Sequence, residues 1–414
     1  MAKESVVVGL DIGTHLVRVV IAKVKAGQVS PQIIGVGQAP SFGLRKGVVV
    51  DIEEAVKNIN QAIQEAERNS GLSVERVLVS LSGNHIDCKP SKGVVAVSRA
   101  DEEVSEEDVK RAINAASAIS ISSNREIFHV IPRSFSVDSQ GGIKDPVGMN
   151  GVRLEVDALV IEGSTPFIKN LAKCISEAGL EIEEMVLAPL AASRAVLSKR
   201  QKELGVLVLD LGGGTAGLTV FEEGDLLHSH ILPVGSSHIT NDIAIGLRSG
   251  IDLAEKVKLE YGSALISEIN KRDTIDLSKL SVGEEGIIPR TTVVEIIEAR
   301  LKETLDLANA ELKKINRQGL LPAGMVLLGG GAKLPGLVDL SKEVLKLPVQ
   351  VGFPQEVDGI VEEIDDPSFA TAVGLVLWGA DNRMKNISRG ISLPNISVGS
   401  TVSKIRGWLR GFLP

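Results

Sequence analysis

Two segments of the chain repeat one pattern, and this repeat constrains the fold more than any other feature. Each segment is an apolar run that ends in an aspartate, followed by a glycine turn and a second β-rich run. The two aspartates, Asp11 and Asp210, lie 199 residues apart. A repeat at this spacing predicts two related halves, each opening with a strand–turn–strand unit. Two such halves would face each other across a cleft, with one turn on each side.

The two turns have the composition of a phosphate-binding site. Their glycines carry no side chain that would block a phosphate, and backbone N–H groups in such turns can bind an anion. An aspartate beside a phosphate requires a cation, which predicts Mg²⁺ held through water by Asp11 and Asp210. Two ordinary hairpin turns are the alternative, and the matching aspartates argue against it. The expected phosphate contacts are Gly13, Thr14, His15, Gly212, Gly213, Gly214 and Thr215.

The second turn also fits the GxGxxG pattern of dinucleotide-binding folds. That pattern requires a helix directly after the glycines. Here 218–221 and 225–232 have the pattern of two strands joined by a polar turn. We therefore interpret the segment as a hairpin turn and not as a dinucleotide site.

The composition indicates a globular protein of two or three domains. The chain has 414 residues, of which 43% are hydrophobic, and a formal net charge of −8. This charge argues against a general nucleic-acid binder. The two cysteines, Cys88 and Cys174, form no CxxC motif, which excludes a disulfide scaffold or zinc ribbon and suits a reducing cytosol. We find no run of about 18 apolar residues that would span a bilayer.

Three motifs together resemble those of the actin-like ATPase superfamily: 11–14, 210–215 and 326–335. The resemblance implies an α/β, actin-like (ribonuclease H-like) fold with two duplicated domains, and ATP with Mg²⁺ in the cleft. In that superfamily the third motif approaches the adenine and ribose, and a helix resembling 254–262 closes over the nucleoside. The implied nucleoside contacts are Glu255, Lys258, Gly329, Gly330, Gly331 and Lys333.

Within the superfamily, the block 84–163 is similar to the inserted α+β subdomain (1C) of the bacterial FtsA family. The motifs that carry this similarity are 128–132, 142–149 and 152–156. The resemblance covers about 1–381, and the basic tail fits it. The implied division is 1–83 plus 164–200 as subdomain 1A, 84–163 as the inserted subdomain 1C, 201–236 plus 323–381 as subdomain 2A, 237–322 as subdomain 2B, 382–402 as a flexible linker, and 403–414 as an amphipathic helix.

The resemblance implies a membrane anchor for the division tubulin FtsZ. Members of that family bind ATP, polymerise, and sit peripherally on the cytoplasmic face of the inner membrane at the division site, helping to assemble the septum (the Z ring). The C-terminal peptide of FtsZ docks on subdomain 2B, where Arg290 and Arg300 are candidate contacts; a solvated helix face is the alternative explanation. Subdomain 1C is expected to meet a neighbouring subunit or a further division protein.

The end of the chain favours a membrane-binding helix. Residues 382–414 contain six basic residues and no acid. From 403 onward the apolar side chains fall within an arc of about 140° on a helical wheel, so the helix should fold on a lipid surface. A helix packed on the protein is the alternative. The expected lipid contacts are Ile405, Trp408, Leu409, Phe412 and Leu413 on the apolar face, and Lys404, Arg406 and Arg410 for anionic lipids.

Two positions depart from the related sequences. Gly217 stands where many relatives carry aspartate, and Ala188 stands where other actin-like ATPases carry an acid or amide that orients the attacking water. Loss of such a base costs about 10²–10⁴-fold in rate. We therefore expect tight ATP binding with slow or negligible hydrolysis, and we assign no catalytic residue.

Two other functions compete with this one. A PilM-like type IV pilus assembly protein is the first, and the basic tail argues against it. A sugar or acetate kinase is the second, and Ala188 and the small insert argue against it.

Overall fold

A computed structural model describes residues 4–25, 28, 30–98, 101–281 and 286–388. The first half begins with two hairpins and a long helix. The helix starts where Asp51 accepts a hydrogen bond from the Glu54 N–H, and it ends at Gly71 in the left-handed conformation (φ 68°). The elements up to the insertion are β1 Glu4–Ile12, β2 Leu16–Lys25, β3 Gln32–Pro40, β4 Leu44–Arg45, β5 Val48–Val49, α1 Ile52–Ser70 and β6 Arg76–Leu81.

The inserted subdomain is a four-stranded antiparallel sheet, ordered β7-β10-β8-β9, with one helix packed on it. A capping box between Ser105 and Asp108 starts the helix. A separate core lies between helix and sheet and includes Val109, Ile113 and Val156. The elements are β7 Asp87–Ala96, α2 Glu106–Ser117, β8 Arg125–Val137, β9 Gln140–Ile143 and β10 Arg153–Ser164.

The chain then returns to complete the first sheet. With β11 (Glu181–Leu187) and β19 (Asp358–Gly359) at its two edges, its order is β11-β6-β1-β2-β3-β19. Strands β1, β2 and β3 are antiparallel, and β6 and β11 are parallel to β1. The returning elements, which lead into the second half, are α3 Thr165–Glu177, β11 Glu181–Leu187, α4 Ala188–Val196 and α5 Lys199–Leu204.

The second half repeats the topology of the first. Its sheet has the order β14-β13-β12-β17-β18, again with two antiparallel hairpins beside two parallel strands. The predicted duplicated fold is therefore confirmed. The remaining elements are β12 Val206–Leu211, β13 Ala216–Glu222, β14 Asp225–Leu232, α6 Ser236–Leu247, α7 Ile251–Tyr261, β15 Thr274–Asp276, β16 Ile287–Pro289, α8 Arg290–Lys314, β17 Met325–Leu328, α9 Leu337–Leu345, β18 Val349–Val351, β19 Asp358–Gly359 and α10 Ala370–Ser388.

The end of the described chain differs from the predicted ranges. Residues 323–381 were expected to belong wholly to the second half, but β19 pairs with β3, and α10 packs on the first sheet. Gly9 permits this approach, because an added Cβ would lie 2.4 Å from the carbonyl oxygen of Ala372. The second half therefore ends before β19.

The predicted linker at 382–402 also begins too early. Helix α10 continues to Ser388. Within it, Arg383 pairs with Glu183 (2.8 Å) and Asn382 bonds to Glu184 (3.4 Å). These contacts hold this part of the helix against β11. Residues 389–414, which include the rest of the linker and the predicted amphipathic helix, lie outside the described residues.

Candidate functional site

A cavity of about 420 Å³ lies in the cleft between the two halves, where the β1–β2 and β12–β13 turns face each other. Its size is typical of sites for small molecules. The third glycine motif and the ends of α4, α6 and α7 complete its lining. The structure brings every predicted nucleotide and metal residue to this one cavity: Asp11, Gly13, Thr14, His15, Asp210, Gly212, Gly213, Gly214, Thr215, Glu255, Lys258, Gly329, Gly330, Gly331 and Lys333.

The two phosphate turns are built alike and touch each other. Gly13 and Gly212 each donate their N–H to the carbonyl oxygen three residues on, at 3.1 and 3.0 Å. These two amides therefore close the turns, and the following residues form the surface toward the cavity. A Cβ at Gly214 would lie 2.6 Å from the Thr14 hydroxyl. Glycine at this position is what allows the turns to approach so closely.

The aspartates of the two turns meet on the cavity floor. Asp11 accepts a hydrogen bond from the Ser80 hydroxyl (2.7 Å), and Asp210 accepts one from the Thr371 hydroxyl (3.3 Å). Burial, together with the charge of Asp11, raises the pKa of Asp210 to about 6. Burial also raises the pKa of Asp11. Two carboxylates that disfavour each other's charge gain from a shared cation, and oxygen donors of this kind suit Mg²⁺.

On the opposite wall, Glu255 and Lys258 of α7 form one hydrogen-bonded group with Thr240 of α6. The Glu255 carboxylate accepts from Lys258 (2.7 Å) and Thr240 (2.5 Å). Burial opposes the charge on Glu255, but these two hydrogen bonds lower its pKa overall. The group is therefore a fixed, charged acceptor beside the cavity, with Leu259 and Leu334 as apolar neighbours in the lining.

The third glycine motif closes the floor of the cavity from the side of β17. Gly329 has φ 78°, and an added Cβ would lie 2.4 Å from an Asp210 carboxylate oxygen. Only glycine fits both the conformation and the space. Lys333 lines the cavity, but its ammonium group is paired with Asp366. A ligand phosphate would therefore compete with Asp366 for this cation.

The two departures from the related sequences are adjacent in space. Ala188 opens α4 and lines the cavity with its methyl group. The space that a side chain at Gly217 would occupy is filled by the next residue of α4, because an added Cβ would lie 2.5 Å from Pro189 Cγ. The packing of α4 thus explains why glycine stands at 217.

Several lining residues were not predicted from the sequence. They are Arg18, Ser236, Ser237, Ser368 and Thr371. Ser236 Oγ is buried and has no hydrogen-bond partner among the described residues. An unpaired hydroxyl at the N-terminus of α6, on the cavity wall, fits the oxygen-rich ligand that the turns imply. Arg18 could have been found, because it lies opposite Asp11 in a predicted hairpin.

The arginines predicted to contact FtsZ lie on α8, away from the cavity, and both have internal partners. Arg290 donates a hydrogen bond to the Tyr261 carbonyl oxygen (2.9 Å). Arg300 forms a bidentate ion pair with the carboxylate of Asp242. A partner that uses either guanidinium would have to compete with these contacts.

The fold and the cleft define an actin-like protein. In the PilM–PilN type IV pilus biogenesis complex, a solved chain is similar with a TM-score of 0.64 and 20% identity, over 90% of this chain and 98% of that one. MreB5 of Spiroplasma citri bound to ADP has a TM-score of 0.54 and 15% identity, over 93% and 99% of the chains. At these identities the two structures show the fold alone.

The sequence relatives are far more specific. A family model described as cell division protein FtsA matches residues 207–374, and one described as the SHS2 domain inserted in FTSA matches 83–162. Cell division protein FtsA of Pseudomonas aeruginosa is 35% identical over 98% of this chain and 97% of its own length. The Bacillus subtilis relative is 37% identical over 96% and 89%. The chain belongs to the FtsA family of cell division proteins.

The described part of the chain contains no helix that could span a membrane. None of the helices there combines the length and the apolar character that crossing a bilayer requires.

Proposed function

We propose that this chain is an ATP-binding, polymer-forming cell division protein that tethers FtsZ to the cytoplasmic face of the cell membrane at the division site. The observation that carries the proposal is the cleft cavity, which is lined by two matching aspartate–glycine turns from the two halves. Family membership places the chain in cell division.

The nucleotide occupies the cleft with its phosphates between the two turns. Residues after Gly13 and Gly212 offer backbone N–H groups to the phosphates, and Thr215 offers its hydroxyl. Asp11 and Asp210 hold Mg²⁺ through water, and this ion neutralises phosphate charge. Glu255 and Lys258 face the nucleoside from one side, and the third glycine motif faces it from the other.

A ligand that contacts both halves favours the closed cleft, because it binds the closed form better than the open one. Helices α4 and α10 connect the halves and cross where Gly374 meets Ala191. Their crossing is the natural hinge for this motion. Closure prepares the molecule for self-association into a polymer.

Hydrolysis is expected to be slow. Ala188 lines the cavity where an orienting acid or amide would stand, and a methyl group cannot polarise water. We predict a turnover far below one per second, measured as phosphate release at saturating Mg-ATP. A rate near one per second would contradict this account of the site.

The outer surfaces carry the remaining roles. The C-terminal peptide of FtsZ docks on subdomain 2B, with Arg290 and Arg300 as candidate contacts after release from their internal partners. The amphipathic helix at 403–414 binds anionic lipid, and many copies in a polymer add avidity. Subdomain 1C meets a neighbouring subunit or a further division protein.

The pilus-assembly alternative has only the shared fold to support it. The PilM–PilN match is 20% identical, whereas FtsA relatives are 35–37% identical over nearly the whole chain. The pilus-assembly function is therefore the weaker of the two candidates.

The nucleotide assignment is tested by equilibrium binding of fluorescent ADP and ATP to the full chain. In the variant Asp11→Asn/Asp210→Asn, we expect added Mg²⁺ to lose most of its effect on affinity. Asp339→Asn, at an exposed position on α9, is the matched control and should bind as the intact chain does. If the intact chain binds neither nucleotide in Mg²⁺, the proposal is wrong.

A further inference from the structure

The β4–β5 hairpin lies between the first phosphate turn and the start of the inserted subdomain. Its tip, Lys46 and Gly47, has positive φ at both residues (51° and 74°), which is the arrangement of a type I′ hairpin turn. Its base is fixed on α1, because the Phe42 N–H donates a hydrogen bond to Asn58 Oδ1 (3.0 Å). The hairpin is therefore anchored at its base, while its tip reaches the cavity, which Gly47 helps to line.

The tip is bonded to the first phosphate turn through Thr14. The Thr14 hydroxyl accepts a hydrogen bond from the Gly47 N–H (3.0 Å), and Thr14 also lines the cavity. A hydroxyl that accepts one hydrogen bond can donate its own proton to another group. A phosphate oxygen bound at Thr14 would accept this proton and, by polarising the O–H group, strengthen the hydrogen bond from Gly47. One side chain can thus contact the ligand and the hairpin at the same time.

On its other side, the tip is in backbone contact with the start of the inserted subdomain. A Cβ added at Gly47 would lie 2.8 Å from both the nitrogen and the Cα of Gly83. Gly83 has φ 123°, and a Cβ added there would lie 3.1 Å from the Gly47 carbonyl oxygen. Glycine at both positions lets the two backbones touch. A displacement of Gly47 must therefore move Gly83 as well, because close packing leaves no space to absorb it.

His85 joins the two chain segments that lead into and out of the inserted subdomain. A Cβ added at Gly83 would lie 3.0 Å from His85 Cδ2, so the imidazole packs against the incoming segment. On the outgoing segment, the Ser164 N–H donates a hydrogen bond to His85 Nδ1 (3.2 Å). A continuous series of contacts therefore runs from the cavity to both connections of the inserted subdomain.

We propose that the β4–β5 hairpin couples nucleotide occupancy of the cleft to the inserted subdomain, so that a phosphate bound at Thr14 tightens the two segments that connect this subdomain to the first half. A ligand that restrains one end of a packed series of contacts favours the state in which all of those contacts are made. A partner that binds the inserted subdomain then distinguishes the nucleotide-bound protein from the empty one and, by linkage, changes nucleotide affinity. The inference rests on the nucleotide binding proposed above.

Hydrogen–deuterium exchange of the full chain, resolved to single amides, tests the coupling. Two amides report on the connecting segments: the Ile86 N–H, which is bonded to the Gly83 carbonyl oxygen (3.2 Å), and the Ser164 N–H. At saturating Mg-ADP we expect both to exchange about fivefold more slowly, or slower still, than in the empty protein. At saturating adenosine, which has no phosphate, both should exchange as in the empty protein.

Thr14→Val and Thr14→Ser form a matched pair of variants. Thr14→Val keeps the shape of the side chain and loses the hydroxyl, whereas Thr14→Ser keeps the hydroxyl. Each protein is measured at the same ratio of Mg-ADP to its own Kd, so that ligand binding stabilises all three folds equally. We expect Thr14→Val to lose most of the slowing at Ile86 and Ser164, and Thr14→Ser to retain it. The melting temperature of each ligand-free variant shows whether its fold is retained.

The outcomes separate this inference from the proposed function. If Ile86 and Ser164 slow as much in Thr14→Val as in the intact chain, the slowing is general ligand stabilisation, and the coupling is wrong while nucleotide binding stands. The coupling is also wrong if Mg-ADP binds the intact chain without slowing either amide, or if adenosine slows them as much as ADP does. If the intact chain binds neither ADP nor ATP, the nucleotide assignment itself fails, and the inference fails with it.

Discussion

At the junction between the first half and the inserted subdomain, the imidazole of His85 is held neutral. Its Nδ1 accepts a hydrogen bond from the Ser164 N–H (3.2 Å), and its ring lies 5.2 Å from that of Phe167. Burial, aided by the charge of Arg125, lowers the pKa of His85 from 6.5 to about 4. The folded protein therefore disfavours a proton that the unfolded chain accepts.

This shift predicts a pH dependence of stability. The contribution of His85 is fully present above pH 6.5 and is lost as the pH falls from 6.5 toward 4. His85→Asn keeps an acceptor for the Ser164 N–H but cannot titrate. Urea unfolding between pH 7.5 and 5.5 should show a smaller loss of stability for His85→Asn than for the intact chain. Equal pH slopes would show that His85 is not the group responsible.

The residues of the site were predictable to different degrees. Asp11, Asp210 and the glycine turns are local motifs, so the sequence alone predicted them. Thr371 and Ser236 reach the cavity from distant elements, and their role depends on the closing of the two halves. The spacing of residues in the sequence does not show which distant elements meet at the cavity.

Among the elements, helices α4 and α10 are packed unusually closely. An added Cβ at Gly374 would lie 1.8 Å from the carbonyl oxygen of Ala191. The neighbour is backbone, so Gly374→Ala must push the two helices apart. Overpacking of this kind costs about 1–3 kcal/mol.

We therefore predict that Gly374→Ala lowers the free energy of unfolding by at least about 1 kcal/mol. The measurement is urea unfolding without nucleotide. Gly330→Ala is the control, because an added Cβ there meets nothing within 4 Å. Its stability should stay near that of the intact chain. If Gly374→Ala and Gly330→Ala have the same free energy of unfolding, α4 and α10 can move apart without loss of stability, and the prediction is contradicted.

The inserted subdomain touches both halves. Lys144, which directly follows β9, pairs with Asp225 of β14 and donates to the Glu223 carbonyl oxygen (2.9 Å). The apolar core is also continuous from Ile161 of the insert to Leu226 of the second half. The insert thus braces the second half on the side of β14.

A double-mutant cycle measures this brace. Lys144→Met, Asp225→Asn and the double variant should give a coupling of about 0.5–1 kcal/mol in the free energy of unfolding. Lys92 and Asp157, a more exposed pair within the insert at 3.4 Å, form the control cycle and should give a smaller coupling. If the effects of Lys144→Met and Asp225→Asn are additive, the two side chains are not coupled, and this contact does not stabilise the insert against the second half.

At the scale of the whole molecule, the sequence predicted the duplicated fold correctly. The reason is that each half contains its own local motif, an aspartate followed by a glycine turn. It misplaced the end of the second half. Helix α10 belongs to the first sheet because Gly9, more than 360 residues earlier, makes room for Ala372. Pairings across such a distance leave no local pattern, so domain boundaries were less predictable than elements.

The proposed link between FtsZ and a membrane can be measured by co-sedimentation with anionic liposomes. The intact chain and a chain ending at Val402 are spun with liposomes and Mg-ATP, with and without purified FtsZ. We predict that the intact chain pellets with lipid and carries FtsZ down, and that the shortened chain leaves both in solution. If the two chains pellet equally, or if FtsZ stays in solution when the intact chain pellets, the tether account is contradicted.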